Sequence, residues 1–196
     1  TLNNAGMCYH SLGEYKTALE YYEKSLETYK EAYKTDQHPN MATSLNNIGM
    51  CHYSLGCYDK ALSYHEQSLE AMKKMYNKDH PDIAKAYSNI GACHESLGEY
   101  DKARAEHEES LRIYRTVYGE NNHPDTATSL NNIANCYTCL RNYTQALEHH
   151  KKSLKMRENI YSKQKHHPDI ALSLNNMGMC FTSLGDHEKA LALYRM

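Results

Sequence analysis

The chain has 196 residues, and its 22 basic and 24 acidic side chains leave a formal net charge of −2. A nearly neutral chain gives no electrostatic footprint for nucleic acid or for an anionic membrane surface. Its apolar runs are only a handful of residues long, far short of the roughly 20 that a membrane-spanning helix needs. Composition therefore argues against a nucleic-acid partner and a membrane partner.

Two short motifs recur along the chain at a nearly constant step. His-Pro pairs begin at His38, His80, His123 and His167, which are 42, 43 and 44 residues apart. Leu-Asn-Asn triplets begin at Leu2, Leu45, Leu130 and Leu174, and the third copy reads Tyr87-Ser88-Asn89. A period of this length predicts a solenoid, in which one supersecondary unit stacks on the next. A solenoid offers a continuous surface, so the repeat favours binding over catalysis.

Each copy predicts two helices. In the second copy the apolar residues follow a 3.6-residue period over 40–55, which we call helix A, and over 58–76, which we call helix B. Pro39 suits a first helical turn, and Gly56 suits the position after a helix end. We therefore predict an all-α chain that forms a single domain. Its repeats are expected at about 1–37, 38–79, 80–122, 123–166 and 167–196, the first and last being truncated.

A set of small and aromatic residues marks each copy. Gly49, Gly56, Tyr58 and Ala61 recur as Gly91, Gly98, Tyr100 and Ala103, and as Gly6, Gly13, Tyr15 and Ala18. The fourth copy departs, with Ala134 and Arg141 in place of the glycines, and the fifth has His187 where the tyrosine is expected. These landmarks resemble those of the tetratricopeptide repeat. The resemblance implies a right-handed α-solenoid of helix-turn-helix repeats.

The length of the period gives a finer resemblance. A step of 42 residues rather than 34, with His-Pro-Asp at 80–82, 123–125 and 167–169, is similar to the kinesin light chain type of repeat. In that family the arrays bind short peptide segments of cargo adaptors in the concave groove. The resemblance implies a non-enzymatic interaction scaffold with a protein or peptide ligand. The chain shows no heptad segment for a coiled coil that would bind a heavy chain, so motor attachment is implied by the family only.

The face of helix A opposite helix B is the predicted ligand surface, because tetratricopeptide arrays line their concave face with this helix. The candidate peptide-binding residues are Asn4, Asn46, Asn47, Met50, Tyr53, Lys85, Asn89, Asn131, Asn132, Asn135, Asn175 and Asn176. An asparagine carries donors and an acceptor, so a column of them can pair with both N–H and C=O of an extended peptide. An alternative stays open, in which the asparagines hydrogen-bond neighbouring repeats and fix their angle.

The charged residues of the predicted groove limit the class of ligand that is expected. Lys85 is the only cation predicted in the groove, and Glu95 is predicted beside it. A clamp for a terminal carboxylate, which the cochaperone class of tetratricopeptide domains builds from groove lysines and arginines, is therefore not expected. Met7, Met50 and Met179 offer adaptable apolar contacts, a composition typical of tolerant binding.

The cysteines predict a reducing compartment. Cys8, Cys51, Cys93, Cys136 and Cys180 share one register, and neighbouring repeats should lie roughly 10 Å apart. Thiols at that spacing cannot be bridged without moving the backbone. We therefore expect small, buried, inert cysteines and a cytoplasmic location.

No pattern predicts a metal site, a cofactor or a catalytic centre. Cys136-x-x-Cys139 has no second pair, and His65, His107 and His150 recur where other copies have tyrosine, which indicates packing. The tripeptide His-Pro-Asp occurs in a J-domain as a single copy. Its repetition here indicates a helix start, with the acidic residue near the positive helix end.

The two ends of the chain lead to a second hypothesis. Thr1 already lies inside a predicted helix, and Met196 falls partway through helix B, so we expect a piece of a longer protein. Neither end shows a polar capping helix, and uncapped repeats expose apolar surface. End-to-end self-association is therefore expected. The alternative to peptide binding is an architectural spacer or self-assembling rod without a dedicated peptide ligand.

Overall fold

The computed structural model describes residues 1–33, 38–119, 121–164 and 166–196. Within these ranges there are ten helices and no strand, so the predicted all-α helical-repeat class is confirmed. The chain divides into two compact units, Thr1–Gly98 and Glu99–Met196. None of the helices in the described ranges is long and apolar enough to cross a lipid bilayer.

Unit 1 contains five helices, each packed against the next along the chain. They are α1 (Leu2–Ser11), α2 (Tyr15–Tyr33), α3 (Pro39–Ser54), α4 (Tyr58–Met75) and α5 (Pro81–Ser96). The A helices are α1, α3 and α5, and the B helices are α2 and α4. The bounds predicted for the second copy, 40–55 and 58–76, each lie within one residue of α3 and α4.

Unit 2 also contains five helices in sequential contact. They are α6 (Tyr100–Tyr118), α7 (Pro124–Cys139), α8 (Tyr143–Ile160), α9 (Pro168–Ser183) and α10 (His187–Tyr194). The A helices are α7 and α9, and the B helices are α6, α8 and α10. The last B helix has 8 residues, whereas α6 has 19 and α8 has 18.

Every A helix from α3 onward begins at a His-Pro step, as predicted, and the histidine is the N-cap. Its Nδ1 accepts a hydrogen bond of 3.2 Å from the backbone N–H two residues later, which satisfies one of the donors that a helix start leaves unpaired. The same ring stacks on a tyrosine at or just after the end of the preceding B helix. These junction pairs are Tyr33–His38, Tyr76–His80, Tyr118–His123 and Tyr161–His167, with ring centroids 3.7, 4.0, 3.5 and 3.4 Å apart.

The turn inside each hairpin uses a left-handed backbone residue. Gly56 joins α3 to α4 with φ of +74°, a conformation that glycine adopts without a steric penalty. Arg141 takes the same role between α7 and α8 with φ of +59°, although it carries a Cβ. The fourth hairpin therefore keeps the turn at a conformational cost.

A close contact between a glycine and a ring joins α3 to α4, and an equivalent contact joins α1 to α2. A Cβ added to Gly49 of α3 would lie 2.8 Å from Cε1 of His65 in α4, and one added to Gly6 would lie 2.7 Å from Cε1 of Tyr22. Glycine is therefore required for this approach. The predicted packing role of His65 is confirmed, and burial lowers the pKa of its imidazole to about 4.

All seven cysteines lie in the described ranges, and none of them forms a disulfide. Cys51, Cys93, Cys136 and Cys180 are buried as predicted, and burial raises the pKa of the Cys51 and Cys93 thiols to about 11. A raised pKa disfavours the reactive thiolate. Cys8 is exposed, so the predicted burial is wrong for this copy.

Candidate functional site

The candidate ligand surface is the face of the A helices that turns away from the B helices. The apolar period of α3 predicts Leu45, Ile48, Gly49 and His52 on the face toward α4. Ile48, Gly49 and His52 are buried, and Leu45 is half-buried. On the other face Met50 remains 38% exposed and Tyr53 37% exposed. Helix α3 therefore has the two faces that the 100° spacing predicts.

In unit 1 the asparagines of this face join neighbouring A helices. Asn47 Nδ2 in α3 donates to Asn3 Oδ1 in α1 at 3.1 Å, and Asn89 Nδ2 in α5 donates to Asn46 Oδ1 in α3 at 2.8 Å. Ser96 Oγ in α5 also donates to Tyr53 Oη at 3.0 Å. We call the hydrogen bonds between asparagines of neighbouring A helices the asparagine ladder. They are the contacts between repeats that the alternative hypothesis for these asparagines predicts.

In unit 2 the asparagine ladder reaches further into the protein. Asn176 Nδ2 in α9 donates to Asn131 Oδ1 at 3.2 Å and lies 3.3 Å from Asn135 Oδ1, both in α7. Asn131 is only 4% exposed, and its Oδ1 also lies 3.2 Å from Nδ1 of the buried His150. Burial lowers the pKa of His150 to about 4, with smaller contributions from the nearby Arg157 and His149. Asn131 is therefore an interior residue whose carbonyl oxygen is already occupied.

The remaining predicted residues differ in exposure. Asn132 and Asn135 are half-buried, whereas Asn4, Lys85 and Asn175 are exposed. Two of the predicted amides lie beside exposed methionines, since Nδ2 of Asn46 is 3.7 Å from Sδ of Met50 and Nδ2 of Asn175 is 3.7 Å from Sδ of Met179. These i, i+4 pairs place a polar amide next to an adaptable apolar group.

A cleft of about 170 Å³ opens between α3 and α5 in unit 1. It brings three predicted residues together, Asn46, Asn47 and Lys85, with Asp82 at the same cleft. Its other lining residues are Pro39, Ala42, Thr43, Met72, Tyr76 and Ala86. Because one lysine faces one aspartate, the cleft is polar but close to neutral. Such a surface suits peptide N–H and C=O groups better than an isolated carboxylate.

Two structural features were not predicted from the sequence. One is the junction pair, whose only sequence signal is a tyrosine four to six residues before each histidine. The other is Arg157, which is 4% exposed and donates from Nη1 to Asp169 O and Ser173 Oγ, both at 2.8 Å. Burial lowers the pKa of this guanidinium, and the nearby Asp169 opposes that shift. Arg157 occupies the repeat position of Tyr29, Met72 and Tyr114. A charged residue at a position that is otherwise aromatic or apolar is the sequence signal that marks it.

Comparison with protein families identifies the class. A tetratricopeptide repeat profile matches residues 1–74, 40–116 and 82–159, and a second tetratricopeptide repeat profile matches residues 171–195. These matches cover most of the chain, and the chain therefore belongs to the tetratricopeptide repeat family. This repeat fold is generally a non-enzymatic scaffold for protein interactions.

Solved structures share the fold at low sequence identity. BtubC (BKLC) from P. vanneervenii superposes with a TM-score of 0.85 at 20% identity, over 97% of this chain and 74% of that chain. The putative kinesin light chain repeats of Podosopora anserina give a TM-score of 0.82 at 17% identity, over 99% and 90%. The apo form of RapI gives 0.84 at 18% identity, over 99% and 66%. The predicted likeness to repeats of the kinesin light chain type is thereby confirmed. No curated protein sequence matches the chain.

Proposed function

We propose that the A-helix face binds a short, extended peptide segment of a partner protein and catalyses no reaction. The cleft between α3 and α5 carries the proposal, because it gathers Asn46, Asn47 and Lys85 around a space that is open to solvent. Asn47 uses one N–H in the asparagine ladder, and a primary amide has two N–H donors and a carbonyl acceptor. The second N–H supports pairing with the backbone of an extended ligand.

The exposed side chains define the class of peptide. Met50 and Tyr53 lie on the same helix as the cleft asparagines and offer apolar area to a ligand side chain. Lys85 and Asp82 balance each other at the cleft, so a strongly charged ligand gains little there. We expect a neutral segment with at least one aliphatic or aromatic side chain. The free thiols support a reducing, cytoplasmic location for this interaction.

A peptide-display experiment tests the proposal directly. The 196-residue chain is used to select from a random library of 12-residue peptides, and the affinity of the selected peptide is then measured. Met50→Ser combined with Lys85→Ala, both at exposed positions, should weaken binding by about tenfold or more, because interface anchors carry most of the binding energy. The thermal midpoint should stay nearly constant. Lys60→Ala, at an exposed position of α4, is the matched control and should leave the affinity unchanged.

Two results would contradict peptide capture. One is a selection that enriches no sequence above background, and the other is a selected peptide whose affinity survives the Met50→Ser and Lys85→Ala changes. Asn47→Ala separates the two roles of the asparagine ladder. If the ladder is purely structural, this variant lowers the thermal midpoint and leaves the affinity per folded molecule unchanged.

A second candidate function, an architectural rod, is favoured by the terminal hairpins. Met7 and Leu12 at the first hairpin, and Leu184 and Leu191 at the last, are all more than half exposed. Apolar side chains of this size drive association when they form a patch. Light scattering over a range of concentrations should then show growing oligomers. A monomer at every concentration, or oligomers unaffected by Leu12→Ser and Leu191→Ser, would count against the rod.

A further inference from the structure

The capping histidines of the four junction pairs each hold one ring nitrogen in a role that protonation reverses. In every pair, Nδ1 accepts a hydrogen bond of 3.2 Å from the backbone N–H two residues later. A neutral imidazole has one acceptor nitrogen, whereas a protonated imidazole has two N–H donors and no acceptor. The charge of a histidine ordinarily changes between pH 5 and 8. Protonation therefore removes this cap and leaves a backbone N–H of the first helical turn unpaired.

Three of the four junctions hold a carboxylate beside the same nitrogen. Oδ2 of the aspartate two residues after the histidine lies 3.6, 3.7 and 3.8 Å from Nδ1 in the pairs His80–Asp82, His123–Asp125 and His167–Asp169. A protonated ring can donate to this oxygen after a movement of about 1 Å. The resulting charge-assisted hydrogen bond keeps the ring at the helix start. The carboxylate also offsets the positive end of the helix, which disfavours an imidazolium.

The first junction lacks that carboxylate. Residue 40 is an asparagine, so a protonated His38 has no anion two residues later. On its other side the His38 ring lies against Tyr33 and Tyr29 of α2, with ring centroids 3.7 and 6.4 Å away. Within the described ranges His38 forms no ion pair, and Asp36 lies outside those ranges.

The His123 junction is the closest match to the first one. Its ring stacks on Tyr118 and faces Asp125, the residue that corresponds to the asparagine of the first junction. The His80 junction has a further acid, because Asp79 immediately precedes the histidine. The His123 junction therefore isolates the effect of a single carboxylate.

The carboxylate of the last junction has other partners. Oδ2 of Asp169 also accepts a hydrogen bond from Tyr161 Oη at 3.0 Å, and Arg157 donates to the Asp169 backbone carbonyl at 2.8 Å. A second titratable ring, His166, directly precedes His167. This junction is therefore less suited to a matched comparison.

We propose that the start of α3 is an acid-sensitive joint, and that the aspartate two residues after each later capping histidine protects the starts of α5, α7 and α9. In mild acid His38 binds a proton at Nδ1, its hydrogen bond from the Asn40 N–H breaks, and the first turn of α3 frays. At the later junctions the new N–H donates to the carboxylate instead. Pro39 lines the cleft between α3 and α5, so mild acid should also weaken a peptide held there. That weakening rests on the proposed function, whereas the fraying of α3 does not.

Amide hydrogen exchange, measured by NMR on the 196-residue chain at pH 7.5 and 5.5, tests the joint. Ala42 and Ala127 are the reporters, because their N–H groups donate to the carbonyls of His38 and His123 at 3.3 and 3.1 Å. After correction for intrinsic exchange, the protection of Ala42 should fall about fivefold more than that of Ala127, which is the effect of losing one helix cap. A change shared by both alanines reports the stability of the folded state, so the difference between them is the measured quantity.

Reciprocal substitutions provide the controls. Asn40→Asp should reduce the acid response of Ala42 to that of Ala127, and Asp125→Asn should raise the response of Ala127 to that of Ala42. An aspartate in the first turn also favours the helix at both pH values, so the change between them is compared rather than the absolute protection. His38→Asn supplies a cap that does not titrate, and it should keep the protection at pH 7.5 while removing the acid response.

Three outcomes overturn the proposal. They are an equal acid response of the two alanines in the parent chain, responses that neither reciprocal substitution changes, and a response of Ala42 that persists in the His38→Asn variant. Because no peptide is present in these measurements, they decide the acid-sensitive joint whether or not the cleft between α3 and α5 binds a ligand.

Discussion

The α3–α4 hairpin of unit 1 and the α7–α8 hairpin of unit 2 carry similar sequences, yet their buried histidines are held differently. His65 packs so closely on Gly49 that an added Cβ would lie 2.8 Å from the ring, and its Nδ1 has no hydrogen-bond partner among the described residues. The equivalent of Gly49 in unit 2 is Ala134. There, Nδ1 of His150 lies 3.2 Å from Oδ1 of Asn131.

We infer that the methyl group of Ala134 causes this contrast, because a Cβ built on Gly49 would lie 2.8 Å from the His65 ring. With Ala134 in place, the His150 ring cannot occupy the site that the His65 ring takes against Gly49. The ring lies beside Asn131, which becomes buried, whereas the equivalent Asn46 stays half-buried and borders the cleft. Asn131 of the asparagine ladder thus lies in the interior, while the equivalent Asn46 borders the cleft between α3 and α5. Identical residues at equivalent positions of two repeats can therefore have different structural roles.

Acidification should produce the largest effect on this pair of hairpins. Both buried imidazoles have a pKa of about 4 in the folded protein, against about 6.5 in an unfolded chain. Between about pH 4 and 6.5 the unfolded state therefore binds more protons than the folded state does. The free energy of unfolding falls as the pH falls from about 6.5 toward 4. The fully realised loss is about 3 kcal/mol per ring. Urea unfolding followed by circular dichroism at several pH values measures it.

His65→Tyr provides the control for the pH experiment, because Tyr22 already packs on Gly6 in the first hairpin. The variant should lose markedly less stability than the parent between pH 6.5 and 4. An identical pH dependence in both proteins would show that His65 is not a source of acid sensitivity.

Gly49→Ala should have the next largest effect. The new methyl group clashes with the His65 ring, and overpacking of this kind costs about 2 kcal/mol. The reverse change, Ala134→Gly, should cost only about 1 kcal/mol through helix propensity. If the ring can move toward Asn46 as His150 does toward Asn131, then Gly49→Ala with Asn46→Ala costs more than the sum of the single changes. Strict additivity in urea unfolding would argue against that movement.

Asn131→Ala should destabilise the protein more than Asn46→Ala. The first change leaves a buried imidazole nitrogen of His150 without its partner, which costs about 1.5 kcal/mol. The second removes the half-buried acceptor of the Asn89 amide and should cost about half as much. Free energies of unfolding from matched urea titrations decide the ranking. A larger loss for Asn46→Ala would reverse the assignment of interior and surface roles.

Arg141→Gly should give the smallest change, and it should be stabilising. Arg141 holds φ at +59°, where a side chain costs about 1 kcal/mol that glycine avoids. The thermal midpoint should rise by a few degrees. Gly56→Ala in unit 1 is the opposite change, and it should lower the thermal midpoint. A fall in the midpoint of Arg141→Gly would mean that the arginine side chain stabilises its turn.

The helices could be predicted because apolar periodicity and the positions of Pro39 and Gly56 depend on local geometry. The predicted bounds of α3 and α4 lie within one residue of the observed ones. Asn46 and Asn47, which were predicted on the face of helix A opposite helix B, line the cleft between α3 and α5. The position of an amide around the helix axis does not determine whether that amide contacts a ligand or a neighbouring helix. The hydrogen bonds of the asparagine ladder show contact with the neighbouring A helices.

The parts that escaped prediction depend on pairs of residues in different elements. The burial of Asn131 follows from the methyl group of Ala134 and the ring of His150, which no single repeat pattern reveals. The capping role of His80 requires a specific ring orientation that Tyr76 helps to fix. The burial of Arg157 could not be predicted, because arginine side chains usually lie in solvent, whereas here a carbonyl and a hydroxyl accept the hydrogen bonds of the guanidinium.

The junction pairs explain why the spacing of the repeats drifts. From the proline of each A helix to the start of the following B helix the chain always counts 19 residues, and from Tyr58, Tyr100 and Tyr143 to the next junction tyrosine it counts 18. Only the step from tyrosine to histidine varies, over four, five and six residues. The tyrosine and histidine rings stack although the connections between them differ in length, so we expect these connections to tolerate insertions that the helices do not. A short tag or protease site placed between a junction tyrosine and its histidine should leave the hairpins on either side undisturbed.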